Sequence, residues 1–214
     1  MNSYSFKKYQ PAGLRLWHWL NALAILGLLG TAFLRKTFLS WRGNAALIEQ
    51  KIQAAGGSIT PELAKDIAVG IRTPMWDWHY VLGFTLGGLL VVRILVGIFS
   101  VKSCPAAHAV KATWNLSKVP AAEKANAVHY ALVRTGYALF YLITAFMVVS
   151  GLVMYFKDSL GLDKAVINPI KEVHELSMWF FVVFVVGHLV GVVIAELRHD
   201  QGLVSDMIHG GKKE

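Results

Sequence analysis

Four histidines could carry the chemistry of this chain: His18, His79, His174 and His188. His174 and His188 stand fourteen residues apart on one long apolar run. At about 100° and 1.5 Å per residue, fourteen steps bring a helix back to nearly the same face, about 21 Å further along. A single helix would therefore offer two imidazoles pointing the same way at two depths. Polar side chains at depth in a hydrocarbon layer are rare and mark functional sites. Two imidazoles facing each other at one depth suit the axial positions of a b-type haem, whose flat apolar macrocycle is at home between helices. With both positions filled, such a centre shuttles electrons and leaves no place for oxygen.

The elements that must position these rings follow from hydropathy. The mean hydropathy is +0.49, and 55% of the residues are hydrophobic against 16% charged, which is too apolar for an ordinary soluble domain of 214 residues. A span needs about 20 consecutive, mostly apolar residues. Four runs qualify, about residues 14–34, 76–99, 130–156 and 173–197. They are too long for barrel strands, and backbone groups in lipid must be satisfied internally, so helix is the form expected. The fold class is an all-α membrane protein: a four-transmembrane-helix bundle, one membrane domain over residues 1–214, enclosing two b-type haems.

Nothing in the thirteen polar residues before the first span reads as a removable leader, so the span is expected to stay as an anchor. Four spans put both termini on one side. That side, with the 101–129 loop, holds 12 Lys and Arg residues against 9 on the other, which favours cytoplasmic termini. The net charge of +8 then reflects topology and anionic headgroups. No basic soluble module is present to bind nucleic acid. Cys104 stands alone, which leaves no disulfide framework, no c-type haem attachment and no thiolate cage.

On this topology the histidines fall at two levels. His79 opens the second span and His174 the fourth, both toward the outer surface. His18 lies about one turn into the first span from the inner surface, and His188 on the inner half of the fourth. The pairs expected are His79 with His174 and His18 with His188. Glycines beside them (Gly83, Gly87, Gly187 and Gly191, with Gly27, Gly30, Gly136 and Gly151) would let a wide flat ring approach, although small residues also serve plain helix packing. Arg15, Arg93 and Arg134 fall toward the inner surface, where they could pair with haem propionates or snorkel to headgroups. Asn126 and His129, at the inner mouth of the third span, are candidate quinone-site groups.

The loops differ in character. In the outer segment 35–75, Ala45 to Ala55 is helix-prone and stops at Gly56-Gly57, while Thr60, Pro61 and Glu62 make an N-cap and first turn. A short helical hairpin over the outer face is expected, with docking of a partner as its use. The inner loop 101–129 is basic and Ala-rich, and the tail 199–214 is expected to fray. Trp17 and Trp19 inside, and Trp76, Trp78, Tyr80 and Trp179 outside, read as interface anchors.

The run Arg15-Leu16-Trp17-His18-Trp19-Leu20-Asn21, His79 at the start of the second span and the His174/His188 spacing resemble the bacterial cytochrome b561 and nickel–iron hydrogenase cytochrome b subunit family, related to the cytochrome b subunit of formate dehydrogenase. The resemblance covers roughly residues 10–200. It implies a di-haem subunit with His79 and His174 on one iron and His18 and His188 on the other. It also implies an anchor for a periplasmic redox enzyme that passes electrons to quinone near the inner haem. The outer loop departs from the family pattern by its length and helical content. The partner is therefore open among a hydrogenase or other dehydrogenase subunit, an iron–sulfur subunit and a c-type cytochrome.

Two alternatives stand beside this reading. Stand-alone b561-type proteins that oxidise superoxide and reduce quinone would use outer cations such as Lys36, Arg42 and Arg72 to steer the anion. A small transporter would use the buried histidines to bind a transition metal or relay protons.

Overall fold

The computed structural model describes residues 11–99, 105–114, 116–198 and 202–210. Cys104 and His199 lie outside them. All regular elements among the described residues are helical: α1 (Ala12–Lys36), α2 (Trp41–Ala54), α3 (Pro61–Phe99), α4 (Pro105–Trp114), α5 (Lys124–Tyr155), α6 (Lys164–Arg198) and α7 (Leu203–His209), with 3₁₀ turns at Leu116–Lys118 and Ala121–Glu123. Four of them, α1, α3, α5 and α6, are long and apolar enough to cross a membrane. Large apolar side chains such as Leu23, Val91, Leu142 and Val183 stand exposed along these helices, as expected of surfaces solvated by lipid.

Each spanning helix is longer than its apolar run. The second begins at Pro61 rather than Trp76, and the fourth at Lys164 rather than Val173. The reason lies in the caps. Thr60 Oγ1 accepts the Leu63 N–H at 3.3 Å, and Pro61 occupies the first helical position, where its missing N–H costs nothing. The Asp163 carboxylate likewise accepts the Val166 N–H at 3.0 Å, starting α6 among polar residues that a hydropathy count passes over.

The chain divides into two compact units, residues 21–86 and residues 1–20 with 87–214. In the first unit the expected hairpin is present, but its second arm is the leading part of α3. Gly56, at φ +79°, makes the left-handed turn after α2. Ala45 packs against Ala64 and Ala68, with Trp41, Ile48 and Ile59 around them. Alanines at this contact let the two helices approach closely.

In the second unit α5 packs on α4 and α6, and α6 on α7. The 101–129 loop thus carries a helix of its own, and in the tail that was expected to fray residues 203–209 form α7. Two bonds hold its start: the Glu196 carboxylate accepts the Gly202 N–H at 2.9 Å and the Val204 N–H at 3.0 Å. Its end is closed by Gly210 at φ +104°. A Cβ there would also meet the Arg15 guanidinium at 3.0 Å.

Candidate functional site

The first-span run around His18 is an anchoring comb. Arg15 Nη1 donates to the Ile208 carbonyl at 2.8 Å, and Trp19 Nε1 donates to the Met207 carbonyl at 3.3 Å. Both satisfy carbonyls of the last turn of α7, where a cation is also favoured by the helix dipole. Trp17 Nε1 donates to the Leu89 carbonyl of α3 at 2.9 Å. Its ring lies 6.2 Å from Tyr141, and the Arg93 guanidinium stands 5.8 Å from its centroid. Arg93 Nε in turn donates to the Tyr141 hydroxyl at 3.2 Å. Arg15, Trp17 and Trp19, around His18 in sequence, therefore tie α1 to α3, α5 and α7.

His18 itself faces His188. The ring centroids are 6.1 Å apart with planes 57° to one another. Phe184, one turn before His188, lies parallel to its ring at 6.2 Å, and Phe140 stacks on Phe184 at 4.7 Å. The imidazole of α6 is backed by aromatic packing.

His79 and His174 are each held by a hydroxyl. Thr31 Oγ1 lies 2.7 Å from His79 Nδ1, and Ser150 Oγ lies 2.7 Å from His174 Nδ1. Trp76 meets the His79 ring edge-on at 5.5 Å and takes the Arg35 cation at 5.6 Å. Gly151 stands beside His174, where an added Cβ would lie 3.7 Å from Cε1.

The donor set can be tested against a porphyrin. Two imidazoles sharing one metal, with bonds of about 2.0–2.1 Å and about 1.1 Å from nitrogen to ring centre, would place their centroids about 6.2–6.4 Å apart. His18 and His188, at 6.1 Å, fit that requirement. Gly187, Gly191, Gly136 and Gly83 meet no atom within 4 Å, leaving helix surface bare as a flat ring requires. Gly27 and Gly87 do otherwise. A Cβ on Gly27 would fall 2.7 Å from Leu82 Cδ1, and one on Gly87 would fall 3.2 Å from Val148 Cγ1, so both serve close helix packing. Among the described residues no three His, Cys, Asp or Glu side chains gather into a metal cluster. The facing imidazoles of His18 and His188 could hold a haem iron.

Of the residues expected to serve the site, Arg15 and Arg93 spend hydrogen bonds on the Ile208 carbonyl and the Tyr141 hydroxyl, and Arg134 lies over Tyr130 at 4.9 Å. Asn126 and His129 are exposed in the first turns of α5. Trp17 and Trp19 act as hydrogen-bond donors between elements as well as interface aromatics. Sequence reasoning missed Thr31 and Ser150. The available signal was a hydroxyl inside an apolar span, and the structure buries both.

A family model described as prokaryotic cytochrome b561 matches residues 9–210. No match is found among the curated proteins or the solved structures.

Proposed function

The chain belongs to the prokaryotic cytochrome b561 family, a family of membrane b-type cytochromes of electron transfer, and from that premise we propose that it is a di-haem electron-transfer subunit. One haem b is held by His18 and His188 and the other by His79 and His174. Electrons pass across the bacterial inner membrane between a periplasmic redox protein and the quinone pool, with both termini cytoplasmic. The observation that carries this reading is the facing of His18 and His188 at the separation a shared iron needs. The pairing of His79 with His174 rests on their common depth in the sequence register.

When bound, haem b would supply a one-electron ferric–ferrous change. The chain's own residues do the rest. His18 and His188 present ring nitrogens from two helices. Trp17, Trp19 and Arg15 fix the end of α1 so that His18 does not drift. Phe184 lies parallel to the His188 ring, and Phe140 stacks on Phe184. Two levels about 21 Å apart along the helices shorten a membrane crossing to steps an electron can make without a mobile carrier.

A superoxide-oxidising reading would call on outer cations, and one of those considered, Arg42, lies over Trp41 at 4.7 Å. A metal-transport reading would call on more donors than any cluster among the described residues provides. The test is the haem-to-protein ratio of the purified protein with its redox difference spectrum, repeated for His→Ala at each position. Two b haems are expected. His79→Ala and His174→Ala should lose the same one, and His18→Ala and His188→Ala the other. A colourless protein holding zinc or copper would overturn the reading.

A further inference from the structure

Thr31 and Ser150 lie on different helices and make the same arrangement. Each is buried, at 9% and 4% exposure. Each hydroxyl oxygen is 2.7 Å from a histidine Nδ1. Each also touches a backbone carbonyl of its own helix: Thr31 Oγ1 lies 2.8 Å from the Leu28 oxygen, and Ser150 Oγ lies 2.7 Å from the Phe146 oxygen and 3.2 Å from that of Met147.

The proton count decides the rest. A hydroxyl carries one hydrogen, and a carbonyl oxygen only accepts. Two oxygens at 2.7–2.8 Å repel unless a hydrogen lies between them, so each hydroxyl donates to its carbonyl. The contact with Nδ1 must then be filled from the ring side, by Nδ1–H donating to Oγ. A neutral imidazole has one N–H. Its Nε2 is therefore left with the lone pair, at the end of the ring facing away from the hydroxyl.

We propose that Thr31 and Ser150 are matched positioning residues, which keep Nδ1 of His79 and of His174 protonated and so leave Nε2 of each ring as its iron-binding nitrogen. This rests on the di-haem reading above. A metal-bound histidine takes its tautomer and orientation from the partner of its other nitrogen, and that partner raises the ring's basicity. The more basic ring favours ferric over ferrous iron. Among the described residues no hydrogen bond falls on the ring nitrogens of His18 or His188, so the effect belongs to one haem of the two.

Thr31→Val and Ser150→Ala remove the hydroxyls at nearly constant shape, while Thr31→Ser and Ser150→Thr keep them. The measurement is a potentiometric titration of the purified holoprotein, followed by visible absorbance and by ferric electron paramagnetic resonance. Thr31→Val and Ser150→Ala should each raise the potential of the same haem. A tenfold loss of ferric preference reads as about 59 mV for a one-electron couple. The other haem should stay put, and the hydroxyl-retaining variants should stay near the parent protein. Loss of one haem from Thr31→Val with retention in Thr31→Ser also supports the proposal. Loss from both counts against it, as do unmoved potentials, equal shifts in both haems, or shifts in different haems. A parent protein without haem would overturn the di-haem reading itself. Two haems whose potentials ignore these substitutions would overturn only the role of the hydroxyls.

Discussion

Trp17 offers the sharpest test of how the chain holds His18 opposite His188, because its indole makes two separable contributions. The Nε1–H bond to the Leu89 carbonyl is a helix–helix hydrogen bond in a membrane, worth about 0.6 kcal/mol on average and at most about 1.7. The ring under the Arg93 guanidinium adds about 0.5–1 kcal/mol, part of which a phenyl ring retains. Trp17→Phe should therefore cost about 1 kcal/mol, roughly a fivefold change in the unfolding equilibrium. Trp17→Ala also removes a half-buried ring packed on Tyr141, and large-to-small changes of that kind cost about 3 kcal/mol or more, at least a hundredfold. The assay is unfolding in mixed detergent micelles, followed by far-ultraviolet circular dichroism and by the haem absorbance. Trp17→Phe should keep both haems, while Trp17→Ala should lose the one at His18 and His188 first. If Phe proves as damaging as Ala, the N–H bond and not the ring holds the helix. If the haem at His79 and His174 is lost instead, the account of the comb around His18 is wrong.

Other outcomes follow from the same contacts. Gly151→Ala should be accepted, since its Cβ would sit at ordinary contact distance from His174 Cε1, whereas Gly151→Leu should displace that ring and deplete one haem. Equal haem content in the Leu variant would refute the placement. Glu196→Gln leaves one good acceptor where the carboxylate now serves two N–H groups, so proteolysis or hydrogen exchange within residues 203–209 should quicken. Unchanged exchange there would mean that α7 is held by other contacts. The hydroxyl support at His79 and His174 should also give their haem the lower potential of the two in the parent protein, read by assigning each potential through the His→Ala variants. The opposite order would show that burial outweighs hydrogen bonding at these rings.

The spans and the four histidines were legible because both signals are local. Twenty apolar residues announce a helix in lipid, and a fourteen-residue histidine spacing announces one face. The helix starts were less so, since Thr60-Pro61 and Asp163 open α3 and α6 in polar sequence. The cap at Thr60 was visible, but that its helix would run on unbroken into the second span was not, because Pro74 inside α3 reads as a break. The tail misled for a related reason. A seven-residue helix is unstable alone, and α7 exists through Glu196, Arg15 and Trp19, partners that no window of sequence contains. Thr31 and Ser150 were hidden in the same way. A threonine in a span is unremarked until the fold brings an imidazole to it.

The two levels are held by different physics. At His188 the support is apolar: Phe184 and Phe140 stack behind the ring and fix where it sits without choosing which nitrogen carries the proton. At His79 and His174 the support is a directed hydrogen bond, which fixes position and tautomer together. On the di-haem reading, a ring such as His188, backed by phenyl groups and with no hydrogen-bond partner to raise its basicity, would bind iron as the weaker base. On that reading the hydroxyl-supported rings then give the lower potential, and the difference is set by Oγ atoms contributed by α1 and α5, helices that need supply no ligand beside those hydroxyls.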